Sequence, residues 1–433
     1  MGTLHPDSRI ILERAFQCAV RAADPSAALG ASLRDIDRSA PALVLGAGKA
    51  AAAMAAAFAA EWEGPVRGFV VTRYGHGLFP DEDARGIEVA EAAHPAPDDA
   101  SLTAGRRLLE LARDARPGER LVCLISGGGS ALAAAPLDGL SIEQKRDAAS
   151  FLIRAGADIR EINCVRKHLS GLKGGRLAAA ARPASVLTLA ISDVPGDDPA
   201  DIASGPTVPD RTTRHDALDI LGRYRYPRLA ELRGILDDPA LETPKPGDEG
   251  FGDDEVRVIA TGKTALDAAE AFLAESGFKV IRLGDDLDGE AEALGREHAR
   301  IALEARRSGA PTAILSGGET RVRLGETREG RGGRNLEYLA GLALELAGTQ
   351  GICALAADTD GIDGNADHAG GIVEPGMLER GAARGVPLET MLARHDTYRF
   401  FDACDSLLRT GPTRTNVNDF RLILCWPDAR GLG

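Results

Sequence analysis

Two hydrophobic rhythms run along this chain. Short apolar runs such as Leu121-Val122-Cys123-Leu124-Ile125 have the continuous character of strands buried on both faces. Between them lie longer stretches with apolar positions at helical spacing, the first carrying Ile10, Ile11, Leu12, Ala15, Phe16 and Val20 within residues 8–23. Their order predicts strand 42–45, helix 50–62, strands 68–72 and 87–90, helix 101–112, strand 121–125, an alanine-rich stretch at 177–181 and strand 185–191. Residues 227–254 turn polar and rich in turn formers, ending in PKPGDEGFGDDE, which predicts an exposed connector. The alternation then resumes with strand 256–260, helix 265–276, strand 279–283, helix 290–307, strand 312–315, helix 335–346 and strands 352–356 and 421–425. Strands alternating with helices point to an α/β fold with mostly parallel sheets. We place a first domain at residues 1–240 and a second at 250–433.

Composition narrows the function. At 433 residues the chain exceeds the size at which one core stops growing, so two domains with room for a deep cleft are expected. A formal net charge of −14 argues against nucleic acid or an anionic membrane as the main partner. An anionic ligand would need locally placed Lys and Arg. No apolar run approaches the roughly 20 residues that cross a bilayer. The start MGTLHPDSRIILERAF lacks the features of a secretory signal, so a cytoplasmic location is expected. Six cysteines without CxxC pairing and eight histidines without metal-binding spacing suggest reduced, mostly buried thiols and no zinc site.

Four apolar runs end in glycine clusters. Residues 121–125 lead into Ser126-Gly127-Gly128-Gly129-Ser130 and an alanine-rich helical pattern, and 313–315 into Ser316-Gly317-Gly318-Glu319. Residues 42–45 lead into Gly46-Ala47-Gly48-Lys49, and 258–260 into Thr261-Gly262-Lys263-Thr264. Any strand-to-helix turn favours glycine, but four clusters carrying Ser or Lys describe a phosphate-handling enzyme, because main-chain N–H groups converge on anions there. Gly46 to Ala51 also matches the G-x-G-x-x-A dinucleotide pattern. The next strand ends in Thr72-Arg73 where an acidic ribose ligand is wanted, which leaves NADP as the weaker alternative. Lys49 is better read as an anion ligand, since a cation at a helix start opposes the dipole; a solvated lysine is the plain alternative. The 261–264 cluster lacks the earlier glycine of a P-loop and predicts a capped helix start.

Charged residues gather beside these turns. Asp193, just past strand 185–191, is a candidate acid/base or metal carboxylate, with a turn aspartate as the alternative. Asp358, Asp360 and Asp363 follow strand 352–356 at a spacing that suits a sparse, water-rich Mg²⁺ site better than a full Ca²⁺ cage. Basic side chains crowd Ile162 to Arg176, including Arg166 and Lys167, and Gly330 to Asn335 adds Arg331 and Arg334. Guanidiniums there suit bidentate contacts with phosphate or carboxylate, against the alternative of plain charged loops.

Taken in order, SGGGSAL, INCVRKHLSGLKGGRLA, ISDVPGDDPADIASGPTVPD, SGGETRV, GRGGRNLE, DTDGIDG and TGPTRTNVNDF resemble the glycerate 2-kinase family, whose C-terminal part is the MOFRL domain. The resemblance runs from about Leu43 to Leu424. It implies a Rossmann-like first domain, with a mostly parallel sheet between helices on both faces, and a smaller mixed-sheet MOFRL-type second domain, the active site lying in the cleft between them. It also implies transfer of the ATP γ-phosphoryl, with Mg²⁺, to the 2-hydroxyl of D-glycerate, giving 2-phosphoglycerate. Some members are named hydroxypyruvate reductases, so reduction of hydroxypyruvate with NAD(P)H is the alternative enzyme, and a non-catalytic nucleotide or sugar-acid sensor is a reading of another class.

The resemblance supports Lys49, Asp193 and Arg334 as catalytic residues. Ser126, Gly127, Gly128, Gly129 and Ser130, with Gly317, Gly318 and Glu319, are expected to hold the nucleotide phosphates. Arg166, Lys167 and Asn335 are expected at the substrate, and Asp193, Asp358 and Asp360 at the metal. Leu336 and Asn365 depart from the family's usual Gln and Pro. The expected partner is small-molecule D-glycerate; a homodimer is compatible with a sequence that does not fix the oligomeric state.

Overall fold

The computed structural model describes residues 7–323, 330–364 and 366–427, so Asn365 lies outside the described residues. The chain divides into two compact units. One is Pro25–Ile259; the other joins the described residues up to Asp24 to those from Ala260 onward.

The strands of the first unit are β1 (Ala42–Ala47), β2 (Val66–Arg73), β3 (Ile87–Ala92), β4 (Arg120–Ile125), β5 (Val186–Ile191) and β6 (Glu255–Ala260). They form one sheet in the order β3-β2-β1-β4-β5-β6, and the pairs β2/β3, β1/β2, β1/β4 and β4/β5 are parallel. Leu43, Leu45, Leu121 and Cys123 share a core with Ala104, Leu108 and Ala112 of helix Asp99–Arg113. The intervening Val44, Val122 and Leu124 are also fully buried, and strand side chains alternate faces, so the sheet is covered on both sides. Helix Ala51–Glu61, nearly all alanine and therefore cheap to form, packs against β1, β2 and β4 outside that core.

Helices Ile142–Arg154, Ile159–His168, Arg214–Arg223 and Leu229–Leu236 form a satellite cluster around Leu152, Val165, Leu221 and Leu236. The last of them corrects the expected connector at 227–254. Its charged residues mask a short apolar stripe, yet Leu232 and Leu236 are buried. Helices Ile142–Arg154 and Ile159–His168 open on reciprocal caps, Ser141 with Gln144 and Asp158 with Glu161. The 261–264 cluster behaves as expected, with Thr261 and Thr264 capping helix Gly262–Glu275 and Lys263 paired to Asp267 at 2.6 Å.

In the second unit, β7 (Lys279–Gly284), β8 (Thr312–Ser316), β9 (Ile352–Asp358), β10 (Gly370–Val373), β11 (Leu407–Leu408) and β12 (Asp419–Cys425) form a mixed sheet in the order β11-β10-β9-β12-β8-β7. β7 and β8 are parallel, while β12 runs antiparallel to both β8 and β9. Leu336 is fully buried in its core beside Tyr338, Phe400 and Phe401. Helix Ser8–Ala22 belongs here. Phe16 meets Phe420 edge-on at 5.7 Å, Arg14 lies over Phe272, and Thr415 Oγ1 donates to the Ala23 carbonyl at 2.6 Å. Chain order, which puts this helix in the expected 1–240 domain, does not reveal where an apolar stripe docks. Among the described residues no helix is long and apolar enough to cross a membrane, and all six cysteines are free thiols.

Candidate active site

The turns after β1 and β4 interlock. Lys49 N–H donates to the Gly127 carbonyl at 2.9 Å, and Ala50 N–H donates to Ser126 Oγ at 3.0 Å. Gly48 has φ +146°, and a Cβ there would stand 2.0 Å from Ser126 Oγ, so no side chain fits. Gly128 takes the left-handed conformation (φ 79°), with the His94 ring and the Lys49 side chain on either side of it. The expected alanine-rich helix is a single turn, Gly129–Leu132, because the chain leaves helical geometry at Ala133. Ser126 is fully buried and spends its hydroxyl on the neighbouring turn. Ser130 is the serine that reaches the cavity below.

That cavity, about 1360 Å³, lies wholly within the first unit. Gly128, Ser130, Arg166, Lys167 and Asp193 line it, together with His94, Lys145 and Lys173, which the sequence reading had not chosen. Half-buried Asp193 follows β5, after Ser192, whose Oγ accepts the Val194 N–H. Lys173 is 2% exposed; its Nζ donates to the Ser130 carbonyl at 2.9 Å and also to Ser130 Oγ. Lys167 is buried and paired with Asp210 at 3.4 Å. Lys145 is 7% exposed and its ammonium has no hydrogen-bond partner. Burial, helped by Arg166 and Arg176, pulls its pKa down to about 7, and burial with Lys145 and Arg166 nearby pulls Lys173 well below the ordinary lysine range.

The remaining expected residues meet in the second unit. Arg334 binds Asp419 at 2.9 Å, Asp358 at 2.6 Å and Glu319 at 2.8 Å. Burial opposes the Arg334 charge, and these three carboxylates outweigh it. Asn335 donates to Asp419 Oδ1 at 2.8 Å, and its N–H donates to Asp363 Oδ2. Arg421, 1% exposed, joins Asp419 at 2.7 Å and donates to the Gly317 carbonyl. Burial, then Asp419, raises the Asp363 carboxyl to about 7. Asp419 is the hub, and the sequence reading passed over it although it lies in the quoted TNVNDF block.

Asp358 does not present open oxygens to a metal. One accepts from Arg334 and the other from the Asp360 N–H at 3.0 Å, while Asp360 Oδ1 accepts the Ile362 N–H. Among the described residues, no group of three or more His, Cys, Asp or Glu is arranged around a metal point. Asp193 lines a cavity shared with Lys145, Arg166 and Lys173, and a lone carboxylate there fits a cation that takes most of its ligands from elsewhere.

Residues 11–236 match a family described as a domain of unknown function, DUF4147, and residues 312–419 match the MOFRL family. The chain is 39% identical over 383 residues to the D-glycerate 2-kinase of Thermotoga maritima, covering 87% of this chain and 89% of that one. A crystal structure of glycerate kinase from Thermotoga maritima matches with a TM-score of 0.85 at 36% identity, covering 97% of this chain and all of its own. A relative from Agrobacterium vitis with a provisional hydroxypyruvate reductase name is 47% identical over 422 residues, 96% of this chain and 94% of its own.

Proposed function

The chain belongs to the glycerate kinase family with a MOFRL C-terminal region, and we propose that it is an ATP-dependent D-glycerate 2-kinase yielding 2-phosphoglycerate. The observation that carries this reading is a cavity below a glycine turn lined by the buried Lys145, Lys167 and Lys173 together with Asp193, in an otherwise acidic protein. Phosphoryl transfer asks a protein mainly for positioning and charge neutralisation, and this cavity supplies both.

In this reading the Gly127 to Ser130 turn holds the ATP phosphates, with Lys173 fixing Ser130 from behind. Lys49, beside Gly128, neutralises charge on the transferring group. Asp193 orients the 2-hydroxyl of D-glycerate and takes its proton as the oxygen attacks the γ-phosphorus and the bond from that phosphorus to the bridging oxygen breaks, releasing ADP. Mg²⁺, when bound, would neutralise phosphate charge, and Asp193 is the residue we assign to hold it. Asp358 is assigned to positioning Arg334 instead, with the Asp360 N–H holding the other Asp358 oxygen. On the strength of the resemblance, Arg334 is assigned to the transferring phosphoryl group, Asn335 to the substrate and the Gly317-Gly318-Glu319 turn to the nucleotide phosphates. The reading also keeps the enzyme in the cytoplasm, with a small-molecule acid as partner and the homodimer open.

The reductase alternative is weakened by one contact set. A dinucleotide pyrophosphate would need the amides at the start of helix Ala51–Glu61, but Lys49 and Ala50 N–H groups are already engaged by the 126–130 turn. Incubation with ATP, Mg²⁺ and D-glycerate, followed by ADP assay and phosphorus NMR of the product, tests the proposal. ADP release with 2-phosphoglycerate is expected. Oxidation of NADPH by hydroxypyruvate without ADP formation would overturn it.

A further inference from the structure

Beside the exposed Arg146, Arg160 and Arg211, the cavity has two more enclosed cations that protein partners do not account for. Lys145 comes from helix Ile142–Arg154 and Arg166 from helix Ile159–His168; both line the cavity. The Lys145 ammonium is buried without a hydrogen-bond partner, and the charged groups acting on it are the guanidiniums of Arg166 and Arg176. Burial alone shifts Arg166, downward, with no carboxylate opposing it. The neighbouring cations are committed elsewhere: Lys167 to Asp210, Lys173 to Ser130, and Arg176 to the carbonyls of Ser170 and Leu241. A buried charge facing only like charges is costly, and an incoming anion would remove that cost.

We propose that Lys145 and Arg166 form the subsite for the acceptor's carboxylate, and that Lys145 selects a hydroxy acid over a neutral polyol. The proposal rests on the kinase reading and moves the substrate contact first expected of Lys167 to Lys145, because Lys167 is neutralised by Asp210. An ammonium beside a guanidinium suits a singly charged, two-oxygen group, and the glycine turn is left to the nucleotide phosphates.

The test compares wild type with Lys145→Met and Lys145→Arg. Calorimetric titration with D-glycerate in the absence of ATP reads binding without turnover, and steady-state kinetics with D-glycerate and glycerol reads selectivity. For Lys145→Met we expect KM for D-glycerate to rise at least about tenfold, KM for ATP to stay within about twofold, and the preference for D-glycerate over glycerol to fall about tenfold or more. Lys145→Arg should recover much of the D-glycerate KM. A rise in KM for ATP alone would assign the cations to phosphate and overturn the subsite. Active wild type with an unchanged D-glycerate KM in Lys145→Met also overturns the subsite but leaves the kinase reading intact. Wild type that binds D-glycerate through Lys145 yet never phosphorylates it defeats the kinase reading and keeps the subsite.

Discussion

Lys173 holds Ser130 by its main chain and its hydroxyl at once, through an Nζ that is almost completely shielded from water. The cation is thus placed behind the glycine turn as a strut. Replacing it by methionine keeps the volume and removes a buried charge, which is often neutral or stabilising for the fold. Lys173→Met should therefore melt no lower than wild type while raising KM for ATP by about tenfold. Thermal unfolding together with ATP kinetics checks this; a large loss of melting temperature with normal KM would make Lys173 a purely structural residue.

Asp193 and Lys49 are both half-buried, so either can be changed without emptying a core. Asp193→Asn should be the most damaging single substitution, leaving less than about a tenth of kcat because the proton acceptor is gone. Lys49→Ala should lower kcat at least about tenfold, roughly 1.4 kcal/mol of barrier. Single-turnover measurements on folded variants decide both.

Arg334 behaves differently because its partners are buried. Asp358 and Asp419 are 2% exposed, and Arg334→Ala takes a guanidinium from both, although Asp419 keeps Arg421. We expect a loss of about 3–5 kcal/mol in stability, seen as a lowered melting temperature, with activity falling at the same time. Recovery of stability in Arg334→Ala combined with Asp358→Asn, which leaves the Arg421–Asp419 pair intact, would show that the lost partner, and not the altered shape, is responsible.

Acceptor binding should depend on pH through Lys145. Burial, then Arg166 and Arg176, brings its pKa to about 7, and Lys173 adds a further cation on the same side of the cavity. Below about 7 the ammonium is charged and ready for a carboxylate; above it, binding must take up a proton. KM for D-glycerate should rise as pH climbs past about 7, and calorimetry in buffers of different ionisation enthalpy should show the uptake. Both effects should vanish in Lys145→Met. For stability the sign is set by the unfolded lysine, which holds its proton up to about 10.4. Between about 7 and 10 the unfolded chain carries more protons, so this residue's contribution favours the fold increasingly as pH rises.

Much of this was legible in the chain. Continuous apolar runs marked β1, β4, β5, β8 and β9, since strands covered on both faces leave little room for polar residues. Glycine clusters marked the turns, and the position of Asp193 past β5 is where the structure has it, lining the cavity. Less visible were the helices around Leu152 and Leu221, whose stripes are thin and interrupted by charge, although their caps at Ser141, Asp158 and Thr213 are readable. Lys145 and Asp419 carried no local signal strong enough to select them. A lysine in an amphipathic helix reads as solvated, and burial is decided by what folds over it. Ser126, expected at the phosphates, is fully buried and its Oγ accepts the Ala50 N–H, a contact between two turns that the glycine pattern does not reveal.

Helix Ser8–Ala22 has a practical consequence. The chain starts in one unit, leaves it for more than half its length, and returns at Ala260, so the first unit is an insertion within the second. A fragment begun at residue 250 would lack the helix carrying Phe16 and expose the surface that Phe420 and Phe272 share with it. Swapping C-terminal halves between homologues should therefore succeed only when the matching N-terminal segment travels with them.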